Sequence, residues 1–234
     1  RGVVVGATAA AAKSAGATCV EVDVARTKDG ALVAMHGRDV ARFTRGAIGD
    51  VGEVSRDELE MWNEDEYEAL DLRAALAGVA GRGLKQITID YKENAPLGRR
   101  GLAEAVVRTA RSVGCSECLY WGKDDATLRE TRALGENVGY VVANFSAEMR
   151  YKGYDKIGRG RVRGARAVAV QSEMLSSTLV RRARRAGLAV HVWTVNDEER
   201  MRRTLNHGVD GILTDRPMVL RDLIASLRAR CTNH

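Results

Sequence analysis

The chain has 234 residues, enough for one large domain, since α/β barrels routinely occupy roughly 250 residues as a single unit. Hydrophobic residues make up 45% and charged residues 29%, a globular balance that excludes disorder, and no apolar run reaches the roughly 18 residues needed to span a bilayer. The net charge of +6 comes largely from arginine pairs on segments that read as helices, such as Arg99-Arg100 and Arg202-Arg203, and 5% aromatic residues give them no stacking platform, so it points to anionic ligands and not to nucleic acid.

Val3-Val4-Val5 opens the chain as a short apolar strand, and residues 9–15 have strong helix propensity until Gly16. In residues 18–24 the alternation puts Cys19, Glu21 and Asp23 on one face and Val20, Val22 and Val24 on the other. Same-face neighbours lie roughly 7 Å apart, so two short carboxylates can converge on one divalent cation at oxygen distances of about 2.0 to 2.6 Å. The competing reading is the wet face of an edge strand.

A Lys28-Asp29-Gly30 turn leads to the segment ending at His36. Ser55-Arg56-Asp57-Glu58 has capping-box spacing for a helix reaching Met61-Trp62, and Asp71-Leu72 opens another, closed by Gly78 or Gly81. Residues 86–92 alternate cleanly, with Thr88, Asp90 and Lys92 on one face. Helices are predicted over 101–113 and 125–134, and strands over 117–121 and 137–143. The cysteines of Cys115-Ser116-Glu117-Cys118 have zinc or redox spacing, but with no second pair nearby a structural role is expected.

Residues 150–164 are Gly-rich, basic and read as a loop. Strands over 166–170, 188–194 and 209–214 then alternate with helices over 177–186 and 197–207, and a last helix follows Pro217. Eight strand units in this alternation predict a TIM (β/α)8 barrel. A doubly wound open sheet would carry a Gly-rich fingerprint after an early strand, which is absent. In such barrels functional groups gather at the carboxyl ends of strands, where Glu21, Asp23, Asp90, Lys92, residues 193–196 and Thr214-Asp215 fall. Trp121, Lys123 and Asp124 can border the same rim, with their orientation open. His191 shares the face of Trp193, where packing competes with a pocket role; His207 ends a helix.

On these residues the chain resembles the glycerophosphodiester phosphodiesterase family. Residues 16–24 with Thr27-Lys28-Asp29-Gly30 and His36 look like its metal and catalytic block, and Val192-Trp193-Thr194-Val195-Asn196 with residues 208–217 look like its closing block. Ile87-Thr88-Ile89-Asp90-Tyr91-Lys92 and Leu119-Tyr120-Trp121-Gly122-Lys123-Asp124 are similar to a plant-type branch. The resemblance implies a barrel of the phospholipase-C-like phosphodiesterase type. It implies a divalent cation, Ca or Mg, held by Glu21, Asp23 and Asp90, with His36 as general acid or base and Arg1, Lys92 and Trp193 lining the substrate pocket. The implied reaction releases glycerol 3-phosphate and an alcohol from a glycerophosphodiester.

Asp90 stands where the family more often has Glu, and Gly37 where it often has Asp. The family's opening His-Arg-Gly block is represented only by Arg1-Gly2, so the expectation is one domain over 1–234, truncated at its N-terminus. The Asp-x-Lys pattern and His36-Gly37 also resemble the sphingomyelinase D-type phospholipases, which act on lysophospholipids and form cyclic phosphates, although their cysteine-bearing loop is absent. A degenerate barrel that binds a phosphodiester without turning it over is the third alternative. The four cysteines form no dense disulfide framework, and no basic-then-apolar leader opens the chain. The expected setting is therefore a soluble protein of a reducing compartment, cytoplasm or plastid.

Overall fold

The computed structural model describes residues 2–5, 14–61, 71–158 and 160–232. The alternation of the first long strand becomes two buried faces. β1 (Gly2–Val5) pairs in parallel with β2 (Cys19–Arg26), whose Val20 and Val24 join the large core between strands and helices. Cys19, on the opposite face, meets Leu119, Trp121 and Val141 in a smaller inner core. β2 is no edge, because β4 (Gln86–Tyr91) pairs along its other side. A short antiparallel β3 (Leu32–Val33) folds back on the end of β2 through Gly30, whose φ of 92° suits glycine.

The remaining strands are β5 (Cys118–Gly122), β6 (Gly139–Val142), β7 (Ala167–Gln171), β8 (Ala189–Trp193) and β9 (Gly211–Leu213). The parallel order is β5-β4-β2-β1-β9-β8-β7-β6. The two ends of that path meet at a parallel bridge between Tyr120 and Val138, where the Tyr120 N–H donates to the Asn137 carbonyl at 2.9 Å. Eight parallel strands thus run in a ring with helices outside, the (β/α)8 arrangement the alternation predicts. Inside, Ala143, Ala167 and Ala169 leave room for the indole of Trp121. Outside, fully buried Leu72, Leu76, Leu102 and Leu128 from the helices close on the strands, each worth roughly 1.5 to 3 kcal/mol of burial.

Helix starts follow the side chains that signalled them. Asp71, Asp124, Ser146, Ser176 and Asp197 each accept hydrogen bonds from amides of the first turn. The capping box at 55–58 is present, with Glu58 accepting from the Ser55 amide at 2.6 Å and the Ser55 hydroxyl accepting from the Glu58 amide at 3.2 Å. Residues 9–13 of the helix predicted over 9–15, and Trp62, lie outside the described residues. The stretch read as a loop over 150–164 contains the end of a short helix, Ala147–Tyr151, whose five residues are too few to show periodicity. Cys115 and Cys118, at the start of β5, are joined in a disulfide with Cα atoms 5.6 Å apart. Among the described residues no helix is long and apolar enough to cross a membrane.

Candidate active site

Register decides which acids meet. Asp23 of β2 lies opposite Asp90 of β4, and Glu21 opposite Thr88. Neighbouring parallel strands are about 4.8 Å apart, so Asp23 and Asp90 stand side by side at the carboxyl end of the ring, with Glu21 one layer below. One oxygen from each of these three acids lies within 4.8 Å of the others. Glu21 is only 7% exposed. Its burial, reinforced by the negative charges of Asp90 and Asp23, pushes its pKa well above the ordinary carboxylate range. Burial likewise raises Asp90, against the opposing pull of Lys92.

Lys92 follows β4 directly and reaches back across this group, pairing with Asp23 at 2.8 Å and with Asp90. Burial acts to lower its pKa, but Asp90, Asp23 and Glu21 outweigh it and hold the ammonium charged. A buried carboxylate trio of this kind is stable only with positive charge in its midst. The donors are all hard oxygens, and two ligands of one Ca-sized ion can stand up to about 5 Å apart, so the cluster fits a divalent metal ion.

His36 arrives from the other side. The segment that carries it is held by its own small core of Ala25, Val33, Met35, Val40, Val51, Val54 and Leu59. Asn94 ties that segment to the strand ends: its side chain accepts from the Arg26 amide at 3.1 Å and donates to the Arg26 carbonyl and to Asp50, each at 2.8 Å. Gly37 sits against Asp50, whose Oδ2 would lie 2.6 Å from any Cβ there, which accounts for glycine in place of a larger residue. His36 is half-buried, and burial first and Lys92 second lower its pKa, so the imidazole is neutral near pH 7.

These groups line one cavity of about 420 Å³ at the carboxyl end of the ring, together with Trp121, Lys123, Trp193, Thr194 and Asp215. Asn196 fixes its far wall, accepting from the Thr214 hydroxyl at 3.0 Å and the Asp215 amide at 2.9 Å while donating to the Asp215 carboxylate at 2.7 Å. Of the sequence-predicted residues, Glu21, Asp23, His36, Asp90, Lys92 and Trp193 are brought together; Arg1 lies outside the described residues.

A model of the glycerophosphoryl diester phosphodiesterase family matches residues 7–219. The chain belongs to that family. It is similar to a glycerophosphodiester phosphodiesterase of Arabidopsis thaliana, 31% identical over 228 residues that make up 91% of this chain and 66% of the relative. Among solved structures it resembles a glycerophosphodiester phosphodiesterase of Parabacteroides distasonis, with a TM-score of 0.76 and 21% identity over 99% of this chain and 98% of that one. It also resembles an Oleispira antarctica phosphodiesterase solved with the product sn-glycerol-3-phosphate, with a TM-score of 0.71 and 20% identity over 96% of both chains. These likenesses establish the TIM barrel of the family.

His191 lies in the barrel interior, its ring meeting Trp121 edge-on at 5.7 Å, and takes the packing role. Asp124 caps a helix and does not line the cavity. Sequence reasoning missed Arg38 and Phe145 on the cavity wall. Their only sequence signal is position, two residues after His36 and three after the last residue of β6.

Proposed function

We propose that this chain hydrolyses glycerophosphodiesters to glycerol 3-phosphate and an alcohol, using Mg or Ca held by Glu21, Asp23 and Asp90. The observation that carries the reading is the convergence of three carboxylates, Lys92 and His36 in one cavity of a chain in this family. All-oxygen donors favour Mg or Ca over softer-site metals. A bound divalent cation would neutralise charge on the phosphate oxygens.

The chain's own groups would supply the rest. Lys92, anchored by Asp23 and Asp90, would set a fixed positive charge beside the phosphate. Neutral His36 would take a proton from the water that attacks phosphorus as the bond to the alcohol oxygen breaks, and the imidazolium would return a proton to the leaving oxygen. Trp193 and Arg1 would border the substrate, and the whole of 1–234 would act as one barrel domain.

The test is glycerol 3-phosphate release from glycerophosphoglycerol with Mg or Ca present, products identified by phosphorus NMR. Glu21→Ala should lower kcat/KM by about 10²-fold or more, and excess chelator should abolish release. Full release in either case would sink the reading, and a cyclic phosphate as end product would transfer it to the lyase class.

A further inference from the structure

Among the described residues, five carboxylates and four cations line the cavity, and His36 is neutral there. With every acid ionised, as cation binding requires, the wall carries one negative charge in excess, which a divalent cation turns into one positive charge. A phosphodiester, with its single negative charge, cancels it. The side chains do not share that task equally. Lys92 is held between Asp23 and Asp90, and Arg42 has Asp39 at 3.9 Å. Lys123 and Arg38 pair with no carboxylate among the described residues.

Of these two, strand register sets Lys123 against the acids. β4 and β5 stay in step from Ile87 opposite Cys118 to Tyr91 opposite Gly122, with Asp90 beside Trp121. Lys92 and Lys123 therefore leave neighbouring strands side by side, one layer beyond Asp90, at a strand spacing of roughly 4.8 Å. Both line the cavity, but only Lys92 turns back onto the acids. The ammonium of Lys123 lies instead 5.4 Å from the centre of the Phe145 ring, which leans on Trp193 with ring centres 5.7 Å apart. That contact holds the ammonium at the cavity wall while leaving its N–H donors uncommitted to a carboxylate. The charges it feels are those of the same cluster: burial and then Lys92 lower its pKa, Asp90 opposes them, and Arg38 adds to the lowering.

We propose that Lys123 is a phosphate-binding residue of this site, its ammonium donating to an oxygen of the diester phosphate beside the acid cluster. The proposal rests on the hydrolase reading above. Lys92 is shared with two carboxylates, so Lys123 brings positive charge that no acid of the wall has already claimed. Hydrolysis turns a singly charged diester into a monoester carrying about 1.5 to 2 charges at pH 7. The contact therefore strengthens along the reaction and lowers the barrier as well as holding the substrate.

The test pairs binding with turnover, using the full chain at pH 8 with Mg. Calorimetry should find glycerol 3-phosphate bound about tenfold more weakly by Lys123→Gln and within about threefold of wild type by Lys123→Arg, the scale of one hydrogen bond to a charged group. Mg affinity measured without phosphate should not fall in Lys123→Gln, because the change removes a cation near the acids. In that variant kcat/KM should drop about tenfold or more, by the same factor for glycerophosphoglycerol and glycerophosphocholine, which share the phosphate and differ in the alcohol. Unchanged glycerol 3-phosphate binding in Lys123→Gln, a loss confined to one alcohol, or a fall in Mg affinity that accounts for the weaker binding overturns the assignment and leaves the hydrolase reading standing. Release from neither diester by the wild type overturns the hydrolase reading, and the calorimetry then decides the phosphate contact by itself.

Discussion

At the scale of single residues the site is a set of charges that burial displaces from their ordinary behaviour. His36 is lowered by burial and by Lys92, so its basic form persists to lower pH than an ordinary imidazole with a pKa of 6.5 would allow. The acidic limb of a kcat/KM profile should therefore fall below pH 6.5, and His36→Gln should flatten it while lowering the rate about 10²-fold or more, read from initial rates across pH 5 to 9. Glu93, just beyond Lys92, is pushed by burial to about 7 from the usual 4.5. Its folded-state pKa is raised, so the stability it contributes is present below 4.5 and lost as pH rises through about 7. Glu93→Gln removes this dependence. It should raise the stability at pH 8 by up to about 3 kcal/mol and change little at pH 4.5, measured as the difference in urea midpoints at the two pH values.

At the scale of elements, the connections after β2 and β6 are held by features no periodicity announces. Gly52 lies so close to the backbone that a Cβ there would sit 1.7 Å from the Ala95 carbonyl oxygen. Since backbone cannot swing away as a side chain can, Gly52→Ala should cost at least about 2 kcal/mol and loosen the segment carrying His36, visible as faster amide exchange over 36–54. In the β6 connection, Arg161 pairs with Asp125 at 2.7 Å, both nearly buried, and its guanidinium lies 4.4 Å from the centre of the Tyr140 ring. It also donates to the carbonyls of Val141 and Tyr154 at 3.0 and 3.2 Å. Arg161→Met leaves buried Asp125 with only the largely exposed Arg129, 4.0 Å away, as counter-charge, and a loss of about 3 kcal/mol should appear in denaturant unfolding.

At the scale of the whole molecule, the acid cluster joins two adjacent strands of the ring, so a ligand bound there stabilises the barrel as a unit. Mg or Ca at about a hundred times its dissociation constant should add about 2.7 kcal/mol, or roughly 5 to 10 °C in Tm. Glu21→Gln should remove most of that shift in thermal melts with and without cation. An equal shift in wild type and variant would place the cation elsewhere.

The sequence by itself determined the alternation of strands and helices, the helix caps and the inventory of acids. Those depend on local periodicity and on side chains that bond to amides within a few residues, as at Asp71, Ser176 and Asp197. It also placed Glu21, Asp23 and Asp90 at strand ends and favoured a shared acidic rim over a wet edge, but it could not say which strand lies beside β2, on which the meeting of the acids depends. Only the tertiary structure supplied the register that sets Asp23 against Asp90, the ion pairs that commit Lys92, and the long-range clamp of Asn94 beneath His36. Arg38, Lys123 and Phe145 acquire a shared cavity for the same reason: their neighbours come from distant segments, and nothing local in a sequence encodes contacts closed by the ring as a whole.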